Sequence, residues 1–166
     1  MLPWGGSMQN KHKGFTLIEL MVTIAVMAII AMMAAPSFNN IILKQNLNKS
    51  TRDLVIVLQK ARSKAALERR VVTVALNSSS SDTDSTLNWM ASGKSTLVSN
   101  TTSIVFRTDG LVRDPTTPAN PLSSAITLVL CDQAQTQAQY SKQIVISRMG
   151  VVQQGGLVNG GCNAGS

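Results

Sequence analysis

The sequence predicts an α+β protein, in which one long amino-terminal helix with an apolar half and an amphipathic half packs on an antiparallel β-sheet. An unbroken apolar run covers residues 15–35, a one-sided helical pattern covers residues 47–65, and only strand-like segments follow residue 71. A helix that precedes all strands is expected to lie on one face of the sheet.

The apolar run from Phe15 to Ala35 is long enough to cross a membrane. It has 21 residues with Glu19 as its only charge, and at about 1.5 Å per residue it reaches roughly 31 Å, the thickness of a hydrocarbon core. A secretory signal peptide has a shorter apolar core of about 7–15 residues before its cleavage site. This run continues into a second helical pattern, so we predict a transmembrane helix over residues 15–36.

Glu19 is the unusual residue of this segment, because it puts a carboxylate near the start of the apolar run. A charge at membrane depth costs about 2.5–3.5 kcal/mol even on lenient insertion scales. Since intramembrane acids are rare and usually functional, we expect a partner for this charge.

Residues Gly14 to Glu19 read Gly-Phe-Thr-Leu-Ile-Glu, and they resemble the processing site of type IV pilins and type II secretion pseudopilins. The resemblance implies that a prepilin peptidase cuts after Gly14 and methylates the new amino terminus at Phe15. It also implies that the Glu19 carboxylate is an assembly contact, paired with the free amine of a neighbouring subunit's first residue so that two desolvated charges compensate each other.

The same resemblance makes residues 1–14 a prepilin leader. Counted from Met8, the leader has the shorter length usual for the family, and residues 1–7 have no assigned role, so the choice of start between Met1 and Met8 stays open. The implied location is the bacterial inner membrane, crossed once with a periplasmic soluble domain, and later a pilus or pseudopilus fibre.

The helical pattern continues beyond Pro36 as an amphipathic stem helix over residues 37–70. Proline removes one backbone donor, so a kink is expected at Pro36. Beyond it, small and apolar residues recur at steps of four and three and share one helical face: Leu47, Thr51, Leu54, Leu58, Ala61 and Ala65. We predict that this face docks on the sheet.

The positive charge is concentrated on the stem. Residues 44–70 contain eight basic residues against Asp53 and Glu68, a net charge of +6, whereas residues 71–166 contain five of each sign. Such a stem could attract anionic lipid headgroups, acidic partner subunits or DNA phosphates, or it could be a solvated helix face. The candidate anionic contacts are Lys60, Arg62, Lys64, Arg69, Arg70, Lys142 and Arg148.

Strand-like segments rich in β-branched and aromatic residues follow the stem, separated by turn-forming residues. The sequence predicts strands at 71–76, 87–91, 103–107, 111–113, 126–131 and 143–147, with a short return at 150–152. Residues 77–84 are too polar to pack and predict a loop, and Pro115, Pro118 and Pro121 predict an irregular connection.

Several of these segments resemble the FimT/FimU and GspH group within the pilin-like family. The similar segments are Gln59–Ala65, Phe106–Gly110, Leu128–Cys131 and Val145–Gly150. The resemblance implies a type IV pilin-like fold with a β-rich domain at residues 71–166. Members are minor pilins of type IV pili or minor pseudopilins of type II secretion, thought to act near the fibre tip and help initiate assembly. The implied partners are the prepilin peptidase, other minor and major pilins or pseudopilins, and the inner membrane before assembly.

Cys131 and Cys162 are the only cysteines. Because the implied domain lies outside the inner membrane in an oxidising compartment, we predict a disulfide that closes the carboxy-terminal tail. Zinc is disfavoured, since two thiolates do not complete a tetrahedral shell and the single histidine lies in the leader. We expect no metal, no cofactor and no enzymatic activity, because the mature chain has no histidine to activate a nucleophile.

DNA is a partner of only some members of the group. Some FimT-like minor pilins bind DNA during natural transformation through a carboxy-terminal Gly-Arg-x-Arg motif. The corresponding residues here are Gly150-Val151-Val152-Gln153, which lack both arginines. One nearby cation, Arg148, supplies little of a multi-phosphate contact, so DNA binding would depend on the basic stem and Lys142.

Overall fold

A computed structural model of the protein describes residues 14–114, 120 and 122–162, without the side chains of residues 34–37. The leader up to residue 13, the predicted irregular connection at Pro115, Pro118 and Pro121, and the last four residues lie outside this description. The side chain of Pro36 also lies outside this description, so the kink at Pro36 stays a prediction. The chain divides into two compact units, one ending at Asn39 and one beginning at Asn40.

The helix α1 runs from Leu17 to Glu68 and contains 52 residues. It ends two residues before the predicted end at Arg70. Arg69 adopts a left-handed φ of 50°, and the Arg70 N–H donates to the Ala65 carbonyl at 3.3 Å. A left-handed residue that closes a helix in this way satisfies one of its last carbonyls and stops its continuation.

The stem face of α1 forms one side of the core of the second unit. All six residues predicted for this face are fully buried, which confirms the helical periodicity. The one polar member, Thr51, donates its hydroxyl to the Leu47 carbonyl at 2.7 Å, so its burial leaves no unsatisfied group. The face shares one apolar cluster with strand residues, among them Val72, Val74, Ile104, Phe106, Leu128, Leu130, Ile144 and Ile146.

Seven strands follow the helix in the described residues: β1 (Val72–Leu76), β2 (Thr86–Trp89), β3 (Thr96–Val98), β4 (Ser103–Phe106), β5 (Ile126–Cys131), β6 (Tyr140–Ile146) and β7 (Val152–Asn159). They form a three-stranded sheet in the order β2-β1-β4 and a four-stranded sheet in the order β3-β5-β6-β7. The α+β prediction is therefore confirmed, with two sheets rather than one.

Strands β1 and β2 pair in parallel, whereas the other pairs of the two sheets are antiparallel. The serine-rich loop that was predicted after β1 returns the chain along the strand, so that Thr73 pairs with Thr86 and Leu76 with Trp89. The loop is held to β2, because the Asn88 N–H donates to the Asp82 carboxylate at 2.7 Å. The parallel direction of β2 is seen in its pairing with β1 and is not encoded by local sequence.

The largest differences from the predicted strands are at β3, β6 and β7. No strand was predicted at β3, β6 begins at Tyr140 rather than residue 143, and β7 extends to Asn159 where only a short return was expected. In place of a strand at 111–113, an isolated bridge joins Val112 to Phe106. The β7 sequence, rich in glycine and glutamine, has low strand propensity, so its conformation depends on pairing with β6.

A disulfide joins Cys131, the last residue of β5, to Cys162 after β7, with their Cα atoms 5.8 Å apart. Both cysteines are buried. The bond closes the tail of the domain and is expected to stabilise the fold by about 2–4 kcal/mol, mainly by restricting the unfolded chain.

Candidate functional site

The start of α1 is closed by a reciprocal pair of residues, Thr16 and Glu19. The Glu19 N–H donates to the Thr16 hydroxyl oxygen at 3.2 Å. In return, the Thr16 N–H and hydroxyl donate to Glu19 Oε2 at 3.2 and 3.1 Å. This arrangement is a capping box, which satisfies backbone donors that a helix start leaves free. No role was predicted for Thr16 from the sequence, although Thr-x-x-Glu before an apolar run is the signature of this cap.

Gly14 and Phe15 precede the helix and belong to no helix or strand. The Phe15 side chain is 87% exposed, and a side chain placed on Gly14 would meet nothing within 4 Å. An exposed peptide bond outside regular structure is the kind of backbone that a protease can bind in an extended form. Within the part of the chain that the structure describes, nothing obstructs the predicted junction.

The apolar side chains of the first unit are exposed along its helix. The large ones between Leu17 and Met33 are all exposed, so these described residues form no core among themselves. Among the described residues, no single helix is both long and apolar enough to cross a membrane. The segments Leu17–Met33 and Phe38–Glu68 are long and apolar enough only when they are taken together. A helix that is apolar on all sides needs lipid or protein around it.

The basic residues singled out from the sequence are in different settings. Arg70 forms ion pairs with Glu68 at 2.5 Å and Asp84 at 3.8 Å. Lys60, Arg69 and Arg148 are exposed and Lys64 is half-buried, without an ion pair to any described residue. Arg62 and Lys142, in contrast, pack against specific neighbours.

Arg62 lies against two similar turns, one after β4 and one after β6. In each turn a glycine N–H donates to the carbonyl three residues earlier, Gly110 to Arg107 and Gly150 to Ser147, both at 2.9 Å. A side chain on Gly150 would approach Arg62 Nε to 2.9 Å, and one on Gly110 would approach it to 3.7 Å. Arg62 therefore packs across both turns as part of the structure, which the sequence did not predict.

Lys142 on β6 belongs to a cluster of cations that was not predicted from the sequence. Its pKa is lowered, first by burial and then by the charge of Arg52 on α1. Nearby on the same strand, the Tyr140 ring is covered by Lys44 of α1, with Nζ 4.2 Å from the ring centroid. Sequence spacing alone could not bring residues of the stem and of β6 together.

The described residues contain no group of three or more His, Cys, Asp or Glu side chains that could hold a metal ion. Asp132, whose carboxylate is buried in the turn after β5, accepts the Gln139 N–H at 3.1 Å and the Tyr140 N–H at 3.3 Å. Its role is to hold that turn.

Comparison with known proteins gives matches over most of the chain. Residues 9–35 match the prokaryotic N-terminal methylation motif, and residues 50–150 match the family described as type II transport protein GspH. The crystal structure of the type IV minor pilin FimU from Pseudomonas aeruginosa strain PAO1 is similar at 16% identity with a TM-score of 0.47, over 67% of this chain and 89% of that one. No curated protein matches the chain significantly.

Proposed function

This chain belongs to the GspH family of pilin-like minor pilins and pseudopilins, and from that premise we propose that it is a minor pilin of a type IV pilus, a structural subunit of the complex that initiates assembly at the fibre tip. The observation that carries the proposal is the amino-terminal segment, in which an open Gly14–Phe15 junction precedes a capped apolar helix with one acid.

The geometry suggests how such a subunit works. Before assembly, the exposed apolar half of α1 is surrounded by lipid of the inner membrane, with the second unit outside it in the periplasm. Cleavage after Gly14 creates a charged amine at Phe15, and the same helix then packs among the helices of other subunits. Lipid and neighbouring helices are equally apolar surroundings, so transfer between them leaves Glu19 as the group that needs a specific partner.

Deletion of the gene tests the proposed function. We expect fewer surface pili and reduced twitching, with both restored by the full chain supplied from a plasmid. Electron microscopy of the cells and twitching-zone diameters measure the effect. Normal pili and normal twitching in the deletion strain would refute the pilus assignment.

A second candidate function is a minor pseudopilin of type II secretion. It is favoured by the description of the matching family as type II transport protein GspH. The same deletion strain separates the two functions, because a pseudopilin mutant should keep its pili and lose exoprotein from the culture medium. DNA binding is not proposed, since both arginines of the Gly-Arg-x-Arg motif are absent and Arg70 is engaged by Glu68 and Asp84.

Processing at Gly14 is a separate prediction that applies to both functions. Mass spectrometry of the protein purified from the native membrane should show an amino-terminal peptide that begins with methylated Phe15. In a strain without prepilin peptidase, the same peptide should remain joined to Gly14 and unmethylated. An uncut chain in the wild-type strain would contradict membership of any pilin-like fibre.

A further inference from the structure

One flank of the second unit carries four basic residues without acidic partners. Lys44, Lys49 and Arg52 lie on α1 and Lys142 lies on β6; we call this set the cationic seam. None of the four forms an ion pair with a described residue. Lys44 and Arg52 are separated by two helical turns, about 12 Å along the axis.

Tertiary structure holds the seam together. The Lys44 ammonium lies over the Tyr140 ring at 4.2 Å, and Lys142, two residues further along β6, is close enough to Arg52 for their charges to interact. Like charges held this close repel each other, and partial burial of Lys142 reduces screening by water. An anionic partner would remove that repulsion, so the seam is suited to bind one.

A shallow, open hollow on the surface of α1, which includes the seam residues Lys49 and Arg52, indicates the kind of partner. It is lined by side chains of α1 alone: Gln45, Asn48, Lys49, Arg52, Asp53 and Ile56. Ile56 is 60% exposed and would gain from an apolar contact, which a phosphate backbone cannot provide. This mixture of amides, opposite charges and an exposed aliphatic residue favours protein over DNA.

We propose that the cationic seam docks the stem helix of an adjacent pilin-like subunit, one that carries carboxylates about two turns apart and an apolar residue between them that covers Ile56. The proposal rests on the proposed function in a fibre. A helix fits because Lys44 and Arg52 are two turns apart along α1, a spacing that side chains of a second helix can match. The partner is a different subunit, because the stem of a second copy has a net charge of +6 and would be repelled.

Site-specific photo-crosslinking in the native host tests the seam. The full chain carries a photoreactive amino acid at Asn48, which lines the hollow, and crosslinked peptides are identified by mass spectrometry. We expect a crosslink to the stem of another subunit with the N-terminal methylation motif. Arg52→Glu should reduce its yield by roughly 10-fold, because like charges across an interface are strongly unfavourable.

Arg148→Glu is the matched control. Arg148 is exposed, lacks an ion pair in the described part of the chain and lies beyond the end of β6. This variant therefore makes the same arginine-to-glutamate change away from the seam and should leave the yield unchanged. Replacing the partner's crosslinked acidic residue with lysine should restore the yield of Arg52→Glu. If Arg52→Glu fails to fold, Lys49→Glu replaces it.

Three results would contradict the docking proposal. An absent crosslink, a yield that Arg52→Glu does not lower, or a nuclease-sensitive crosslinked species would each overturn the docking proposal. Failure of the proposed function has a different signature, because the chain would then be missing from sheared fibres and remain uncut after Gly14. A processed, fibre-associated chain with an unaltered crosslink would refute only the seam.

Discussion

Replacing Glu19 with alanine is expected to remove the protein from the fibre while leaving it in the membrane. In the proposed assembly, the Glu19 carboxylate meets the amine of a neighbouring subunit in apolar surroundings. Losing one partner of a buried ion pair costs about 3–5 kcal/mol, so incorporation should fall by roughly 100-fold or more. The measurement is the ratio of variant in sheared fibres to variant in the membrane fraction, by immunoblot.

The structure gives Glu19 a second role that this experiment must separate. Its carboxylate accepts hydrogen bonds from Thr16 at the start of α1, and glutamine can also serve at this position of a capping box. Glu19→Gln therefore keeps the cap and loses the charge. If charge pairing is the essential role, Glu19→Gln should fail in assembly as Glu19→Ala does.

Processing is the internal control for both Glu19 variants. Each should still be cut after Gly14, since the exposed junction is unchanged, so a loss from fibres cannot be attributed to a retained leader. Wild-type amounts of Glu19→Ala in fibres would refute charge pairing. Full activity of Glu19→Gln with loss of Glu19→Ala would assign Glu19 to helix capping alone.

Gly150→Ala is expected to destabilise the second unit by about 2–5 kcal/mol, the sum of a left-handed backbone penalty and overpacking. Gly150 has a φ of 73°. An added Cβ would clash with the Gly110 carbonyl oxygen and approach Arg62 Nε to 2.9 Å. Arg62 could rotate away, but the Gly110 backbone is held within its own turn, so the clash persists.

Thermal unfolding of the full chain in detergent, followed by circular dichroism, measures this effect. We expect the melting temperature of Gly150→Ala to fall by roughly 10 °C for a domain of this size. Gly156→Ala is the matched control, because Gly156 lies on β7 with nothing within 4 Å of an added Cβ, and its change should stay within about 0.5 kcal/mol. Equal melting temperatures for the two variants would show that the paired turns do not contribute to stability.

The helix and its buried face could be predicted because their information is local. Leu47, Leu54 and Leu58 recur with the period of an α-helix, and that period alone assigns them to one side, where the structure buries them. The motif from Gly14 to Glu19 could likewise be recognised because its residues are contiguous in the sequence. The early end of α1 at Glu68 was missed because a left-handed Arg69 has no strong sequence signal.

The strands that were missed depend on partners rather than on composition. The Gly155-Gly156 segment of β7 has little tendency to be extended by itself. Its extended conformation is stabilised by pairing with β6. The parallel direction of β2 is likewise a matter of its pairing with β1.

By itself, the sequence determined the α+β class, the buried face of the stem and the amino-terminal segment, because helical periodicity and a short contiguous motif are properties of neighbours in the chain. Only the tertiary structure decided that Arg62 packs across two distant turns and that Lys142 joins Lys44 and Arg52 in one seam. Those contacts join residues far apart in sequence, whose distances are set by sheet pairing and by packing of the stem against the sheets.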